Sequence, residues 1–330
     1  MRTSIVTVAG LFLALTAPFA LSQDEPEFHQ VNRPGAVVLA EEYDTSDAKI
    51  PLDEVHTLLP RDAIPALTDP KTESAEKAGE WLEDGDRIIV VGANGQTLGV
   101  PVRILMFHEV ANVTVGGEPM AASYCPLCDS ATVFSRTVRV GKTKTEVLEF
   151  GVSGALFNSN VLMYDRAHKG LWSQIAMKAV TGPMAGTALS TQPVQIVRFD
   201  KFREAHPDAK LVSRETGHQR PYTGDPYAGY FGSDRLLVPV KHVGDAMGKK
   251  TLGVGVSYEG KAWFVPAKVI GDGVTIETGA GPVRVEASDA GIDVVEAPEG
   301  VQTAQAYYYS WSAFYPDTAV IGAAEKKEKP

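Results

Sequence analysis

The chain reads Val91-Gly92-Ala93-Asn94-Gly95-Gln96-Thr97-Leu98-Gly99-Val100-Pro101, with Asn-Gly set between short apolar, β-branched runs. Both central positions of a two-residue hairpin turn need positive φ, which Asn and Gly tolerate best. The stretch therefore predicts two β-strands joined by a tight turn. A second copy reads Val254-Gly255-Val256-Ser257-Tyr258-Glu259-Gly260-Lys261-Ala262-Trp263-Phe264-Val265-Pro266, with Glu-Gly at the turn. In both copies Val-Pro leads out of the second strand.

A second shared element closes each copy. Residues 202–212 and 311–321 both read as a short helix, a Pro-Asp turn and a strand. Because the two elements occur in the same order in both halves, the pattern favours an internal duplication. We therefore predict a β-rich α+β protein with two related β-hairpin-containing units. The first unit carries a long insert, from His108 to about Arg198, that holds both cysteines.

The start of the chain predicts a secretory signal peptide. Arg2 is followed by an apolar run from Val8 to Phe19, and the small residues Ala20 and Ser22 fit a cleavage site after Ser22. A membrane anchor is the alternative, but the run is short and Pro18 interrupts it. The expected location is periplasmic or secreted. The expected divisions are a signal peptide (1–22), an N-terminal extension (23–60), a first β unit (61–235), a second β unit (236–322) and a charged tail (323–330).

Composition excludes some partners. With 31 basic and 41 acidic residues the net charge is −10, which speaks against nucleic acid. No later segment has an uninterrupted apolar run of membrane-spanning length, so we expect no membrane span in the mature chain.

The densest chemical signal is Cys125-Pro126-Leu127-Cys128, which contains the chain's only two cysteines. Small and β-forming residues flank it, including Thr132-Val133-Phe134, so it is predicted to be a turn between strands. A thioredoxin-type dithiol would instead sit at a helix N-terminus. Cysteine turns between strands are typical of the knuckles that hold zinc or iron.

Three interpretations of the two cysteines follow. They bind copper or zinc, with His108 as the third ligand. Alternatively, they cycle between dithiol and disulfide with a periplasmic redox partner. Under the first hypothesis, the expected partner is instead a periplasmic metal-handling protein. In the third, they form a permanent local disulfide or have no chemical role. An oxidising compartment favours a disulfide, although so short a loop constrains the unfolded chain little.

A block of polar residues after the cysteines suggests a ligand pocket, which would make the protein a non-catalytic envelope binding or structural protein. Turn chemistry between strands is the alternative explanation for each residue. The candidate pocket residues are Ser153, Asn158, Ser159, Asp165, Trp172, Gln174, Arg214 and Glu215.

Six short blocks together resemble a prokaryotic, extracytoplasmic family known as domain of unknown function 3179. They are residues 124–128, 150–154, 162–166, 171–174, 213–217 and 225–230. The resemblance extends roughly from Asp62 to Ile321. It implies an extracytoplasmic protein and supplies no activity. The family pattern has glycine after the second cysteine, where this chain has Asp129, and that departure weakens the metal hypothesis.

Overall fold

The structure is a computed structural model that describes residues 35–141 and 144–322. The predicted signal peptide, the first part of the N-terminal extension and the charged tail lie outside the described residues.

The helices are all short. They are α1 (Gly35–Glu42), α2 (Ala75–Ala78), α3 (Val102–His108), α4 (Phe199–Ala205), α5 (Ala228–Phe231), α6 (Ala267–Ile270) and α7 (Tyr308–Phe314), with 3-10 turns at Leu52–Glu54 and Pro126–Cys128. None of the described helices is long and apolar enough to cross a membrane.

Strands make up much more of the described chain than helices do, which confirms the predicted β-rich class. The first twelve are β1 (His56–Thr57), β2 (Leu67–Thr68), β3 (Thr72–Ser74), β4 (Arg87–Ala93), β5 (Gln96–Pro101), β6 (Val110–Val115), β7 (Glu118–Cys125), β8 (Ser130–Ser135), β9 (Thr137–Val140), β10 (Lys144–Val147), β11 (Phe150–Phe157) and β12 (Asn160–Asp165). The others are β13 (Leu171–Ser173), β14 (Lys178–Ala179), β15 (Thr191–Gln192), β16 (Gln195–Arg198), β17 (Lys210–Val212), β18 (Leu252–Tyr258), β19 (Lys261–Pro266), β20 (Val274–Glu277), β21 (Pro282–Ser288), β22 (Gly291–Glu296), β23 (Gln302–Tyr307) and β24 (Ala319–Val320).

Three sheets form the body of the protein, and β9 and β10 form a separate two-stranded ribbon. A nine-stranded sheet has the order β2-β6-β7-β8-β23-β18-β19-β24, with β15 also paired to β8. An eight-stranded sheet has the order β20-β21-β22-β16-β4-β5-β17-β3, and a five-stranded sheet the order β1-β11-β12-β13-β14.

Both hairpins expected from the sequence are present. β4 pairs with β5 around Asn94 and Gly95, whose φ values are 49° and 74°. β18 pairs with β19 around Glu259 and Gly260, whose φ values are 46° and 79°. In each case the turn occupies the left-handed region that its sequence favours, and a short helix follows the proline that ends the second strand.

The two hairpins have equivalent neighbours. The first lies in the order β16-β4-β5-β17 and the second in the order β23-β18-β19-β24. β17 runs parallel to β5 with Lys210 opposite Leu98, and β24 runs parallel to β19 with Ala319 opposite Trp263. In both units, the strand that follows the helix and the Pro-Asp turn therefore pairs with the second strand of the hairpin, and the register is the same.

An aromatic side chain from the closing helix packs on a strand glycine in each unit. A Cβ on Gly99 would come within 2.8 Å of the Phe202 ring, and one on Gly255 within 2.2 Å of the Trp311 ring. Both rings are fully buried. The glycines therefore serve here to let a helix approach its sheet closely.

The cysteine turn occupies the centre of the fold. β7 and β8 form a hairpin of the nine-stranded sheet, and β23 from the end of the chain pairs with β8 at Gln305 and Ala131. Cys125, Leu127 and Cys128 all belong to the largest hydrophobic core cluster.

Candidate dithiol site

The Cys-Pro-Leu-Cys turn is built by local geometry. β7 ends at Cys125 in extended conformation, Pro126 starts one 3-10 turn, and Asp129 ends it in left-handed conformation at φ 43°. Cys125 is the register partner of Ser130, the first residue of β8. The motif is thus a turn between antiparallel strands, as its flanking residues predict.

The two sulfurs are free thiols that face each other. Their Sγ atoms lie 3.1 Å apart. Cys125 is 1% exposed and Cys128 is not exposed at all. Facing sulfurs at this separation can form a disulfide with little movement of the backbone.

Hydrogen-bond donors converge on Cys128. The Nδ2 of Asn160 donates to its sulfur at 3.1 Å, and the hydroxyl of Ser130 lies 3.6 Å away. The hydroxyl of Ser310 also faces this sulfur, and it has no other hydrogen-bond partner among the described residues. Such donors stabilise a thiolate.

The two thiols consequently differ in acidity. Burial raises the pKa of Cys128, but hydrogen bonds to its sulfur, chiefly from Cys125 and Asn160, outweigh burial and bring that pKa below its usual value. Burial, together with the hydrogen bond and the charge of Cys128, raises the pKa of Cys125 well above its usual value. Cys128 is therefore the more acidic thiol of the pair and Cys125 the less acidic one.

Gln174 fixes the donors in place. Its Oε1 accepts from Ser130 at 2.6 Å and from Asn160 at 2.7 Å, and its Nε2 donates to the Ser130 carbonyl at 3.1 Å. The Oδ1 of Asn160 accepts the backbone N–H of Ile175 at 3.2 Å. This last bond determines which end of the Asn160 amide points at the sulfur.

Tyrosines cover the turn. The hydroxyl of Tyr309 donates to the Leu127 carbonyl at 2.8 Å and lies 3.5 Å from that of Tyr230. Tyr230 belongs to α5, and Lys250 holds that helix from outside. The ammonium lies 3.4 Å from the centre of the Tyr230 ring and donates to the carbonyls of Tyr230 and Ser233. We call α5 and these tyrosines the tyrosine cover.

An ion pair ties the turn to the first hairpin. Arg87 donates to Asp129 at 2.7 Å and to the Tyr124 hydroxyl at 2.9 Å, and Tyr124 donates to Asp129 at 2.8 Å. Left-handed φ at position 129 suits the glycine of the family pattern, and aspartate is among the residues that tolerate it. The carboxylate that replaces glycine is here held by two partners.

Glu109 is a buried acid beside the sulfurs. It ends α3 in left-handed conformation at φ 54° and is 7% exposed. Burial, together with the charge of Cys128, raises the pKa of its carboxyl to about 8.

His108 lies in a different hydrogen-bond chain. Its Nδ1 is 2.7 Å from the Pro65 carbonyl and its Nε2 is 2.6 Å from the Tyr222 hydroxyl. Because a carbonyl only accepts, Nδ1 carries the proton and Nε2 accepts from Tyr222. The described residues contain no group of three or more His, Cys, Asp or Glu side chains placed to hold a metal ion. The structure thus does not join His108 to the two sulfurs.

Two of the eight candidate pocket residues lie at the dithiol. Gln174 orients the donors, and the carbonyl of Ser159 is 3.5 Å from the Cys128 sulfur. Asn158 occupies the same turn as Ser159, and its amide donates to the Ala313 carbonyl at 3.2 Å.

The other candidates have local structural partners. Ser153 lies in a β-bulge next to Gly154, and its hydroxyl accepts from the Ala155 N–H at 3.0 Å. Asp165 accepts from the Trp172 indole at 2.9 Å and caps the following turn.

Arg214 and Glu215 lie on the segment after β17, where Glu215 pairs with Lys71 and Lys77 at 3.3 Å. Of the eight residues, the structure therefore places Gln174 and Ser159 at the dithiol.

Sequence reasoning missed most of the residues that surround the two sulfurs. These are Glu109, Ser130, Asn160, Tyr230, Tyr309 and Ser310. Ser130 was detectable, since it follows Cys128 by two residues in a predicted strand. The others reach the site from distant parts of the chain.

Fold and site together define a β-rich protein with a buried, asymmetric dithiol. The chain belongs to the family described as "Protein of unknown function (DUF3179)", whose sequence model matches residues 61–302. This confirms the family resemblance found in the sequence. Comparison with curated proteins and with solved structures gives no significant match.

Proposed function

We propose that Cys125 and Cys128 form a redox-active dithiol that exchanges electrons with disulfides. The observation that carries this proposal is the asymmetry of the pair. The sulfurs lie 3.1 Å apart, and hydrogen bonds lower the pKa of one thiol while burial raises the pKa of the other. A dithiol needs one ready nucleophile and one resolving partner.

The reaction proceeds in two exchanges. The Cys128 thiolate attacks one sulfur of a substrate disulfide, whose S–S bond breaks, and the first substrate thiolate leaves. Cys125 then loses its proton and attacks the Cys128 sulfur of the mixed disulfide. The second substrate thiolate leaves with the bonding electrons. The protein pair has lost two electrons and the substrate disulfide is reduced to two thiols; the reverse sequence oxidises a dithiol substrate.

Burial restricts what can react. Neither cysteine is more than 1% exposed, and exchange needs approach along the S–S axis. The tyrosine cover must therefore move aside for a protein partner, whereas a small disulfide needs a smaller opening.

The test is equilibration in glutathione mixtures of varied ratio, followed by acid quenching, alkylation and mass measurement. We expect both thiols to be lost together, with a chain lighter by two hydrogens and no stable mixed disulfide. Cys125→Ser should stop at the mixed disulfide, and Cys128→Ser should react slowly. If the folded wild type forms no intramolecular disulfide at any ratio, the proposal is wrong.

Binding of a thiophilic cation, copper or zinc, is the second candidate. It is favoured by the lowered pKa of Cys128, since metal ligands are thiolates. Coordination by His108 would require its Nε2 to give up the bond to Tyr222. Metal analysis of the purified chain, compared with His108→Ala, distinguishes the candidates: metal content that falls in this variant supports coordination, and metal-free protein with a working dithiol excludes it.

We further propose that the chain is exported and cleaved after Ser22, so that its redox or metal-handling partner is periplasmic. The residue pattern of the leader supports this. Mass spectrometry of the mature protein should give Gln23 as the first residue, and an intact Met1 would contradict export by this route.

We also propose that the units around the two hairpins descend from one duplicated segment. The equal strand order and the equal register of β17 and β24 support this. An experimental structure in which residues 87–101 and 252–266, with their closing strands, do not superpose would contradict it.

A further inference from the structure

Two buried hydroxyl groups in the region of the Cys128 sulfur lack ordinary hydrogen-bond partners. Ser310 is not exposed at all, and apart from that sulfur its hydroxyl has no partner among the described residues. The hydroxyl of Thr132 is equally buried and has no partner in the same part of the chain. Buried hydroxyls in proteins are nearly always hydrogen-bonded, so two exceptions in one region call for a polar partner from outside the chain.

The fold places Thr132 in the same polar cluster as the sulfur. Side chains two residues apart on a strand share a face, so Thr132 lies on the face of β8 that carries Ser130, whose hydroxyl is 3.6 Å from the Cys128 sulfur. The register partner of Thr132 is Ser123. Gln174, which accepts from Ser130, also donates to the Ser123 hydroxyl at 3.4 Å. The two hydroxyls therefore belong to one polar cluster between the nine-stranded and the five-stranded sheets.

Burial limits the size of a molecule that can reach this cluster. Cys128 is not exposed at all and Cys125 is 1% exposed. The hydroxyl of Tyr309 donates to the Leu127 carbonyl at 2.8 Å and lies 3.5 Å from the Ser159 hydroxyl, so its ring closes over the turn. A disulfide substrate needs the tyrosine cover to open. A molecule of about two or three heavy atoms needs only the ordinary fluctuations of side chains.

The neighbours of the Cys128 sulfur define the chemical class of that molecule. They are neutral donors, the Asn160 amide at 3.1 Å and the Ser130 hydroxyl at 3.6 Å, together with the Cys125 thiol at 3.1 Å. A small neutral molecule that both donates and accepts hydrogen bonds suits these neighbours. Among such molecules, hydrogen peroxide also oxidises thiols.

We propose that hydrogen peroxide is the oxidant of the Cys125–Cys128 dithiol and that it binds against the Ser310 hydroxyl. This inference rests on the proposed redox-active dithiol and names the oxidising substrate that the closed protein admits. A reduced dithiol partner then returns the pair to its thiol state by the disulfide exchange described above.

The reaction converts the peroxide to two molecules of water. The Cys128 sulfur attacks one peroxide oxygen, the O–O bond breaks as an S–O bond forms, and the second oxygen takes the thiol proton and leaves as water. The Cys125 sulfur then attacks the sulfur of the resulting sulfenic acid. The S–O bond breaks, and the hydroxyl group takes the Cys125 proton and leaves as the second water. The thiols lose the two electrons that the peroxide gains, and sulfurs 3.1 Å apart form the disulfide with little movement.

Ser310 is the donor best placed to assist the first step. Negative charge develops on the oxygen that leaves, and a fixed donor in a site closed to bulk water stabilises that charge. The amide of Asn160 is already bonded to the sulfur and to the Gln174 Oε1 at 2.7 Å, and the Ser130 hydroxyl donates to the same oxygen at 2.6 Å. Of the donors around Cys128 in the described chain, Ser310 is therefore the one that can turn to the oxidant.

The first experiment compares oxidants on the reduced protein, folded and unfolded in urea. Hydrogen peroxide, cumene hydroperoxide and glutathione disulfide are each followed by acid quenching, alkylation and mass measurement. Hydrogen peroxide should oxidise the folded protein at least about tenfold faster than the unfolded one, although burial alone would slow it. The bulky cumene hydroperoxide should show the reverse order. Folded Cys125→Ser should stop at a sulfenic acid on Cys128 that dimedone traps.

The second experiment tests Ser310 against a matched serine. Ser312 lies on the same helix and is equally buried, but its hydroxyl accepts the Gly244 N–H at 3.0 Å and donates to the Tyr309 carbonyl at 3.2 Å. Ser310→Ala should lower the ratio of the peroxide rate to the glutathione disulfide rate by about tenfold. The ratio cancels any change in the nucleophilicity of the Cys128 sulfur. Ser312→Ala should keep the wild-type ratio.

The outcomes separate this inference from the proposed function. A folded wild type that neither oxidant converts to the disulfide refutes both. If peroxide alone forms the disulfide, exchange with disulfides is refuted and the inference stands. Peroxide oxidation that is no faster in the folded protein than in the unfolded one refutes the inference alone, as does a Cys125→Ser protein without a dimedone adduct.

The Ser310 comparison has its own contradicting results. An unchanged ratio in Ser310→Ala, or an equal loss in Ser312→Ala, overturns the binding of peroxide against Ser310. If Ser310→Ala does not fold, the comparison of folded and unfolded wild type still decides whether peroxide is the oxidant.

Discussion

The Asn160 amide donates to the Cys128 sulfur at 3.1 Å, while its own oxygen accepts the backbone N–H of Ile175. These two contacts give the amide a fixed direction inside the core. The donor that stabilises the thiolate is thereby held by β12 and not by the cysteine turn itself, so the acidity of Cys128 depends on the packing of the five-stranded sheet against the nine-stranded one.

Asn160→Ala should make Cys128 a weaker acid. The substitution removes a hydrogen bond to a charged sulfur, worth about 1.5–3 kcal/mol. At a pH below the thiol pKa, the thiolate fraction and the rate of Cys128 alkylation should fall by about tenfold or more. The rate is measured with a small alkylating reagent on the Cys125→Ser background. Asn158→Ala removes an amide that contacts only a carbonyl, and an equal loss in that variant would contradict the assignment.

Lys250→Met should open the tyrosine cover. The ammonium contacts the Tyr230 ring and two carbonyls of the α5 region, and a cation–π contact of this kind contributes about 0.5–2 kcal/mol. Alkylation of the native protein should accelerate by roughly tenfold, with little change in the free energy of unfolding. The neighbouring, exposed Lys249→Met is the control. Equal rates in all three proteins would show that the cover does not control access.

Arg87→Met should destabilise the protein by about 2 kcal/mol, because it leaves the buried Asp129 carboxylate with a single donor, Tyr124. The figure is below that of a fully buried pair, since a third of the Arg87 side chain is exposed. The double variant Arg87→Met, Asp129→Gly should recover most of the loss, as glycine suits the left-handed position. Urea unfolding measures the free energy of unfolding of the single and double variants. If the effects of the two substitutions simply add, Arg87 and Asp129 are not coupled.

His108 should make stability sensitive to acid. Burial lowers its pKa to about 4, from about 6.5 in an unfolded chain. Between these values the unfolded chain binds a proton that the folded chain does not. The free energy of unfolding should therefore fall as the pH drops through this window, by at most about 3 kcal/mol. His108→Gln should flatten that part of the stability curve, and an unchanged curve in this variant would refute the assignment.

Glu109 should make the folded protein less stable as the pH rises. Burial and the charge of Cys128 raise its pKa from about 4.5 to about 8 in the folded chain. The folded chain therefore binds more protons than the unfolded chain between these values, and this contribution to stability falls as the pH rises. Glu109→Gln should gain stability relative to the reduced wild type over this interval. Once the wild-type disulfide has formed, the advantage should shrink. Thermal unfolding at several pH values measures both effects, and an advantage that does not change with pH would contradict them.

Local chemistry explains what the sequence predicted correctly. The hairpins follow from turns at Asn94-Gly95 and Glu259-Gly260, where the residues that set φ are adjacent. The cysteine turn is likewise determined by residues on either side of it. Such features need no knowledge of distant contacts.

The rest of the site depends on contacts between distant residues. Asn160 is 32 residues from Cys128, and Tyr309 is 182 residues from Leu127. No periodicity or spacing indicates such pairings. His108 shows the opposite case: it is near Cys125 in sequence, but α3 directs its ring into contacts with Pro65 and Tyr222. Ser153 illustrates a third case. In the bulge next to Gly154 its hydroxyl accepts the backbone N–H of Ala155.

The position of β23 between β8 and β18 has a consequence for how the protein is made. The cysteines leave the ribosome before half of the chain exists, but the strand beside their hairpin and the Tyr309 and Ser310 that enclose them come almost last. Until then the edge of β8 lacks this partner and both thiols are open to any oxidant they meet. During synthesis and folding the pair can therefore react without the opening of the tyrosine cover that the folded protein requires.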